Sequence, residues 1–217
     1  MVANKELTDE LIAYCDKLGI DFIGFGDPIH FNKFNKENRP ESYLENAKTV
    51  IVIGMHLYDV NLDAWCRDEK KGKSLHFADS ILVNQCHQIK SFLAKKGFKS
   101  KIIPYEPGLY LKDAAALAGV GLIGKNNLLI TKSFGSQVRL RALVANVELS
   151  HGTPIYESEY CENCTLCLNS CPAGALEEGK YNKELCLTYC LKNVNKLSEN
   201  TVIWCNICID VCPIGKK

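Results

Sequence analysis

The first 150 residues alternate between two patterns of apolar positions, one typical of helices and one typical of buried strands. Apolar residues recur at helical spacing over residues 7–18, and Gly19 is placed to end that helix. The continuous apolar run at residues 49–55 (TVIVIGM) is rich in β-branched types and predicts a buried strand. A longer helical pattern covers residues 74–96 and ends at Gly97. Shorter segments predict strands at residues 21–25, 101–105 and 137–149 and a helix at residues 110–117. This alternation predicts an α/β layer domain with helices packed on a sheet.

The pattern changes near residue 155, where cysteine becomes the dominant feature. Three of the twelve cysteines precede this point, and the other nine lie between Cys161 and Cys212. Residues 150–154 (SHGTP) are rich in turn-forming types and make a natural junction. We therefore predict an α+β protein with an α/β domain at residues 1–154 and a small cysteine-rich module at residues 155–217.

The cysteines form two related runs, each followed by proline. The first run reads C-x2-C-x2-C-x3-C-P and ends at Pro172, and the second reads C-x2-C-x3-C-P and ends at Pro213. The longer pattern is that of bacterial iron–sulfur proteins, in which three cysteines hold one cubane cluster and the fourth reaches across to another. The chain is therefore predicted to carry two [4Fe-4S] clusters and to transfer electrons.

A count of the ligands supports two clusters. Two cubanes need eight thiolates, and the segment offers nine. The second run lacks an opening cysteine, because Val202 stands in that place, so the eighth ligand must come from Cys186 or Cys190. Crosswise sharing predicts one ligand set of Cys161, Cys164, Cys167 and Cys212, and another of Cys171, Cys205 and Cys208 with either Cys186 or Cys190.

Zinc and disulfide bonds are the alternatives for these thiols. Structural zinc also uses C-x2-C pairs, but a run that ends in proline and is then partly repeated is unusual for zinc. The N-terminus is polar and has no apolar signal region, so neither export nor disulfide formation is expected.

The charge balance argues against several classes of partner. Twenty-six basic and twenty-five acidic side chains give a net charge of +1, which provides no general attraction to nucleic acid or to an anionic membrane. No apolar run approaches the roughly 20 residues needed to span a bilayer. We expect a cytoplasmic protein with no membrane partner, and nucleic acid is not an expected partner.

A glycine-rich loop at residues 119–126 (GVGLIGKN) matches two nucleotide-binding patterns, G-x-G-x-x-G and a Walker-like loop. Both patterns should follow a strand and open a helix, whereas residues 114–118 (AAALA) are strongly helical. Asn126 also replaces the Ser or Thr that a Walker loop uses for Mg²⁺. We interpret the glycines as positions where the backbone comes close to a flat cofactor or a cluster.

The loop and the cysteines together resemble the epoxyqueuosine reductase family. The helical segment that leads into residues 119–126, the Gly135-Ser136 pair and the order of the two cysteine runs with a lone cysteine between them all match that family. The residues after Cys186 match the family's lone cysteine better than those after Cys190, so the resemblance assigns Cys186 as the eighth ligand.

The resemblance implies a nitroreductase-like α/β domain that binds cobalamin or another corrinoid, followed by a ferredoxin-like module with two [4Fe-4S] clusters. Electrons would pass through the clusters to the corrinoid, and the donor would be a small protein such as ferredoxin or flavodoxin. The implied corrinoid-binding residues are Gly119, Gly121, Gly124, Lys125 and Asn126.

Two departures from the family lead to a second hypothesis. The family carries an acidic proton donor just before the helix that leads into the glycine loop, and that position aligns with Tyr105. Glu106 is the donor if the alignment shifts by one residue, and Asp113 is the other acidic candidate. The chain also ends directly after the second run, whereas full-length tRNA-modifying members continue. The alternative is therefore a non-catalytic electron-transfer protein that delivers low-potential electrons to a corrinoid protein or another partner.

Overall fold

The computed structural model describes residues 3–68, 73–156 and 160–215. Its helices are α1 (Lys5–Lys17), α2 (Phe77–Lys95), α3 (Leu111–Leu117), α4 (Leu166–Ser170), α5 (Lys183–Lys192) and α6 (Ile207–Asp210). Its strands are β1 (Phe22–Gly26), β2 (Thr49–His56), β3 (Trp65–Asp68), β4 (Lys73–His76), β5 (Ser100–Ile102), β6 (Leu122–Ile123), β7 (Leu129–Ile130), β8 (Val138–Ala145), β9 (Leu176–Glu177), β10 (Lys180–Tyr181), β11 (Asn195–Lys196) and β12 (Thr201–Ile203). Within the described ranges, every helix is too short or too polar to cross a membrane.

The chain forms two compact units, neither of which is continuous in sequence. Unit 1 consists of Met1–Met55, Ile81–Leu122 and Leu140–Tyr156, and unit 2 consists of His56–Ser80, Ile123–Arg139 and Glu157–Lys217. Residues 56–80 and 123–139, which the predicted division assigned to the first domain, thus belong with the cysteine-rich part. Strand pairing explains part of this difference, because β3 pairs with β12 through Trp65 and Val202.

Unit 1 is built on a four-stranded sheet with the order β1-β2-β8-β5. The pairs β1–β2 and β5–β8 are antiparallel. Residues 50–53 of β2 are completely buried, as the continuous apolar run predicts. Helices α1 and α2 contribute Leu11, Leu82 and Ile89 to the same core.

Most of the predicted elements are confirmed, but the long helix begins later than predicted. Residues 73–76 form β4 instead of the first turn of the helix, and α2 starts at Phe77. Pairing with β3 places Leu75 opposite Cys66 and His76 opposite Trp65. These tertiary contacts override the local helical spacing of the apolar residues. The predicted helix at residues 7–18 corresponds to α1, and Gly19 follows it with a φ of +68°.

The core of unit 1 offers a matched test of packing on α1. Leu11 is fully buried, whereas its neighbour Ile12 is 37% exposed. Leu11→Ala is expected to lower the free energy of unfolding by about 2–5 kcal/mol, because the deletion leaves a cavity in a packed core. Ile12→Ala is expected to cost clearly less, about 1 kcal/mol or below. Denaturant unfolding of both variants measures the difference, and equal losses would contradict the packing described above.

Unit 2 contains a four-stranded sheet, β11-β12-β3-β4, and the β9–β10 hairpin. The repeated half-motif appears as two equivalent short helices. Helix α4 lies between Cys164 and Cys171, and α6 lies between Cys205 and Cys212. The two helices pack against each other, so the two cysteine runs are brought side by side.

Candidate metal centre

The four cysteines predicted to hold the first cluster line one cavity of unit 2. We call them the first thiol set: Cys161, Cys164, Cys167 and Cys212. Burial raises the pKa of the Cys167 thiol, and the other three members of the set raise it further. The structure therefore brings Cys212, from the second run, to the first three cysteines of the first run, as crosswise sharing predicts.

The other predicted ligands surround Cys208. Burial raises the pKa of the Cys208 thiol to about 12, and neighbouring thiols add to the shift. Those neighbours, from the strongest effect to the weakest, are Cys205, Cys186, Cys171 and Cys167. We call Cys171, Cys186, Cys205 and Cys208 the second thiol set. Cys171 thus approaches the second run, which is the reciprocal half of the crosswise pattern.

A fifth thiol lies beside the second set. Cys190 is buried on α5, one turn after Cys186. Burial raises its pKa to about 11, and the nearby thiols of Cys186 and Cys205 contribute in the same direction. A hydrogen bond with the backbone of Cys205 acts in the opposite direction. Cys186 is among the thiols with the largest effects on the Cys208 pKa, and the choice of Cys186 over Cys190 as the ligand stays a prediction.

The chemistry of these donors fits iron–sulfur clusters. Both sets consist of thiols alone, which is the usual ligand set of a [4Fe-4S] cluster. The pKa values of Cys167 and Cys208 are raised, and coordination to a metal centre deprotonates a thiol outright. In the described parts of the chain, no three His, Cys, Asp or Glu side chains have the arrangement of a site for one metal ion. The ligand assignments remain predictions that the donor sets support.

Sequence analysis did not identify the aromatic residues around the second thiol set. The Tyr181 hydroxyl on β10 hydrogen-bonds with the Cys186 sulfur; burial and this contact raise the Tyr181 pKa. Trp204 directly precedes Cys205 and stacks on Trp65, with ring centroids 5.6 Å apart. The position of Trp204 beside a predicted ligand was visible in the sequence, but its stacking partner on β3 was not.

The glycine loop is divided between the two units, and its glycines pack against protein. Gly119 lies in unit 1 with a φ of +74°, and a side chain there would come within 2.8 Å of the carbonyl oxygen of Thr153. Gly121 is buried. Gly124 lies in unit 2, and a side chain there would overlap Ile130. An added side chain at Gly119 or Gly124 would thus meet the chain itself, and the interpretation that the backbone here approaches a flat cofactor or a cluster stays a prediction.

Lys125 and Asn126 contact the cysteine-rich segments of unit 2. The Lys125 ammonium donates to the carbonyl oxygen of Glu162 at 3.2 Å and pairs with Glu178 at 2.9 Å. Asn126 is buried, and its side-chain amide donates to the carbonyl oxygen of Cys208 at 3.3 Å. These contacts connect the loop to both cysteine runs. The predicted corrinoid role of the two residues remains untested.

The acidic candidates lie in unit 1. Glu106 is exposed and precedes Pro107 in the loop between β5 and α3, and Asp113 is half-buried in the first turn of α3. The side-chain amide of Asn38 donates to the carbonyl oxygen of Pro107 at 2.9 Å, which fixes this loop. The Arg141 guanidinium lies 4.0 Å from the centroid of the Tyr105 ring. The proton-donor role of Glu106 or Asp113 remains a prediction.

Comparison with known proteins identifies the family. No family model matches the chain. The epoxyqueuosine reductase of Lactococcus garvieae is 39% identical to it, over 98% of this chain and 70% of the relative. The chain belongs to the epoxyqueuosine reductase family. The epoxyqueuosine reductase of Listeria monocytogenes is 29% identical, and that alignment covers 97% of this chain but only 65% of the relative. The chain thus spans less than two thirds of the length of that relative.

Solved epoxyqueuosine reductases have the same mixed α/β fold. The Bacillus subtilis enzyme matches with a TM-score of 0.74 and 24% identity, over 97% of this chain and 66% of the other. A catabolic reductive dehalogenase matches with a TM-score of 0.71 and 14% identity, over 98% of this chain and 32% of the other. These likenesses confirm a mixed α/β protein with the fold of epoxyqueuosine reductases. The finer description, a nitroreductase-like domain with a ferredoxin-like module, remains a prediction.

Proposed function

We propose that this protein is an iron–sulfur oxidoreductase that holds two [4Fe-4S] clusters in unit 2. The observation that carries the proposal is the crosswise grouping of the cysteines, in which Cys212 lies with the first run and Cys171 lies with the second. Bound clusters would supply one-electron transfer at low potential. The two thiol sets would hold them, and the Tyr181 hydroxyl would donate a hydrogen bond to the Cys186 sulfur. Hydrogen bonds to ligand sulfurs are one means by which proteins adjust cluster potentials.

The proposal includes a corrinoid in unit 1 as the electron acceptor. It draws on the family relationship and on the fold shared with a reductive dehalogenase whose structure is associated with B12-dependent dehalogenation. A bound corrinoid would supply a cobalt centre that reduces the substrate. The glycines do not themselves carry this part, because the contacts described for Gly119 and Gly124 are with protein atoms. We therefore assign no step of the reaction to these glycines.

The second candidate is a non-catalytic electron-transfer protein. Tyr105 at the position of the family's acidic proton donor favours it. In this alternative, unit 2 receives electrons from a donor such as ferredoxin or flavodoxin and passes them to a separate corrinoid protein or another acceptor. Both candidates require the same clusters, and they differ in whether this chain binds the corrinoid.

Two measurements test the proposal and separate the candidates. Anaerobically purified protein is expected to be brown and to contain close to eight irons per chain, as two cubanes require. A colourless protein that contains zinc would refute both candidates. Cob(II)alamin is then added and its absorption spectrum recorded. Conversion to the base-off form supports the oxidoreductase, whereas an unchanged spectrum with full iron content supports the electron carrier.

The sequence of this chain and the comparison with relatives lead to different expectations about an RNA partner. The net charge of +1 predicts no nucleic-acid partner. A solved epoxyqueuosine reductase with 24% identity is described in complex with an epoxyqueuosine-modified tRNA-Tyr stem loop. Fluorescence anisotropy with such a labelled stem loop, at about 0.1 M salt where exposed charges are partly screened, tests this chain directly. The charge-based prediction is that the anisotropy does not change.

A further inference from the structure

One ammonium group lies at the edge of the first thiol set. Lys125 lines the same cavity as the four cysteines of that set, and among the described residues lining it Lys125 has the only cationic side chain. Its side chain is 17% exposed, and its ammonium makes a hydrogen bond at the solvent-exposed edge of the cavity. Cys161 and Cys164 are close enough to interact with it electrostatically.

Two contacts hold this ammonium in place. It donates a hydrogen bond to the carbonyl oxygen of Glu162, which lies between Cys161 and Cys164 in the chain. It also pairs with Glu178, a residue 75% exposed between β9 and β10. The hydrogen bond with Glu178 raises the Lys125 pKa, so the amine is charged at neutral pH. The positive charge is thus held near Cys161 and Cys164. Its ion-pair partner, Glu178, carries a negative charge.

The electrostatic consequence depends on the proposed function. Reduction of a cluster by a one-electron donor adds one negative charge to the cluster, and the donor loses that electron. A nearby positive charge stabilises the more negative, reduced form, and a nearby negative charge destabilises it. We propose that Lys125 is a positioning residue that raises the reduction potential of the cluster held by the first thiol set, and that Glu178 offsets part of this effect. The inference rests on the two-cluster function proposed above.

The test uses two substitutions that should act in opposite directions. Lys125→Gln removes the positive charge, and Glu178→Gln removes the charge that offsets it. Each protein is titrated anaerobically with a low-potential one-electron reductant, and the reduced clusters are followed by electron paramagnetic resonance. At a fixed potential near the midpoint of the affected cluster, Lys125→Gln is expected to lower its reduced-to-oxidised ratio at least threefold. That ratio corresponds to a shift of about 28 mV for a one-electron couple. Glu178→Gln is expected to raise the ratio of the same cluster.

Matched controls distinguish this effect from a general change of charge. Lys192→Gln and Glu184→Gln change exposed residues of α5 that do not line the cavity of the first thiol set. Both are expected to leave the affected cluster at its wild-type potential. Lys125→Arg keeps the positive charge and is expected to restore a potential close to that of the wild type. Iron content close to eight per chain in each variant shows that the clusters are intact.

The possible outcomes separate the inference from the proposed function. If wild-type protein contains no iron–sulfur clusters, the proposed function fails. If clusters are present but the two substitutions leave both potentials unchanged, or shift them in the same direction, the inference fails and the function stands. If Lys125→Gln loses iron, the test rests on Glu178→Gln. In that variant the cluster of the first thiol set should still be easier to reduce than in the wild type. An unchanged potential in Glu178→Gln would overturn the inference.

Discussion

Replacing Cys186 by Ser is expected to remove close to half of the iron in the protein, whereas replacing Cys190 by Ser should leave the iron content near its wild-type value. Each cubane needs four thiolates, so loss of one ligand of the second set removes about four of about eight irons. Cys186 is among the thiols with the largest effects on the Cys208 pKa, and the family resemblance assigns it as the eighth ligand. Iron per chain after anaerobic purification, with the electron paramagnetic resonance spectrum of the reduced protein, measures the result.

The two cysteines provide a matched pair because they lie on the same helix. Residues four apart on a helix share one face, and the Cys190 pKa is affected by both Cys186 on the same helix and Cys205. Cys186→Ala repeats the test with a side chain that has no oxygen to replace the sulfur. If Cys190→Ser loses half of the iron and Cys186→Ser loses none, Cys190 is the eighth ligand. Full iron content in both variants would exclude both as the eighth ligand.

The crosswise grouping could be predicted from sequence because the cysteine pattern is that of two-cluster proteins, in which the fourth cysteine of a run reaches across to the other cluster. Cysteines three or four positions apart lie close together along the chain, and the repeated half-motif indicates a second, similar segment. The structure adds that α4 and α6 pack against each other, which brings Cys212 to the first run. The choice between Cys186 and Cys190 could not be derived from spacing, since both lie in the insert between the runs.

Contacts between distant parts of the sequence could not be predicted from local pattern. The helical spacing over residues 74–96 gave no sign that residues 73–76 pair with β3. The pattern of the glycine loop also gave no sign that Gly119 packs against Thr153 in unit 1 or that Lys125 pairs with Glu178 in unit 2. Each of these contacts depends on tertiary structure, which overrides local propensity.

Gly135→Ala is expected to be among the most destabilising single substitutions in unit 2. Gly135 has a φ of +55°, and a side chain there would overlap the carbonyl oxygen of Ile214. Gly215, with a φ of +76°, approaches Phe134 and Gly135 from the other side. Ile214 follows Cys212 by two residues, so this backbone contact holds the end of the second run. Alanine in a left-handed conformation costs about 1–2 kcal/mol. The overlap of its side chain with the Ile214 carbonyl adds a second cost, because the neighbouring backbone must move to relieve it.

Gly179→Ala is the matched control, because Gly179 has a similar φ of +70° but no atom within 4 Å of the added side chain. It should cost only the conformational term, about 1–2 kcal/mol, while Gly135→Ala should cost about 1–3 kcal/mol more for overpacking. Thermal unfolding of the anaerobic proteins measures the difference, at roughly 2–4 °C per kcal/mol for a chain of this size. Gly215→Ala should resemble Gly135→Ala, and the double variant should cost less than the sum, because the two residues share one contact. Equal midpoints for Gly135→Ala and Gly179→Ala would show that the two backbone segments do not meet as described.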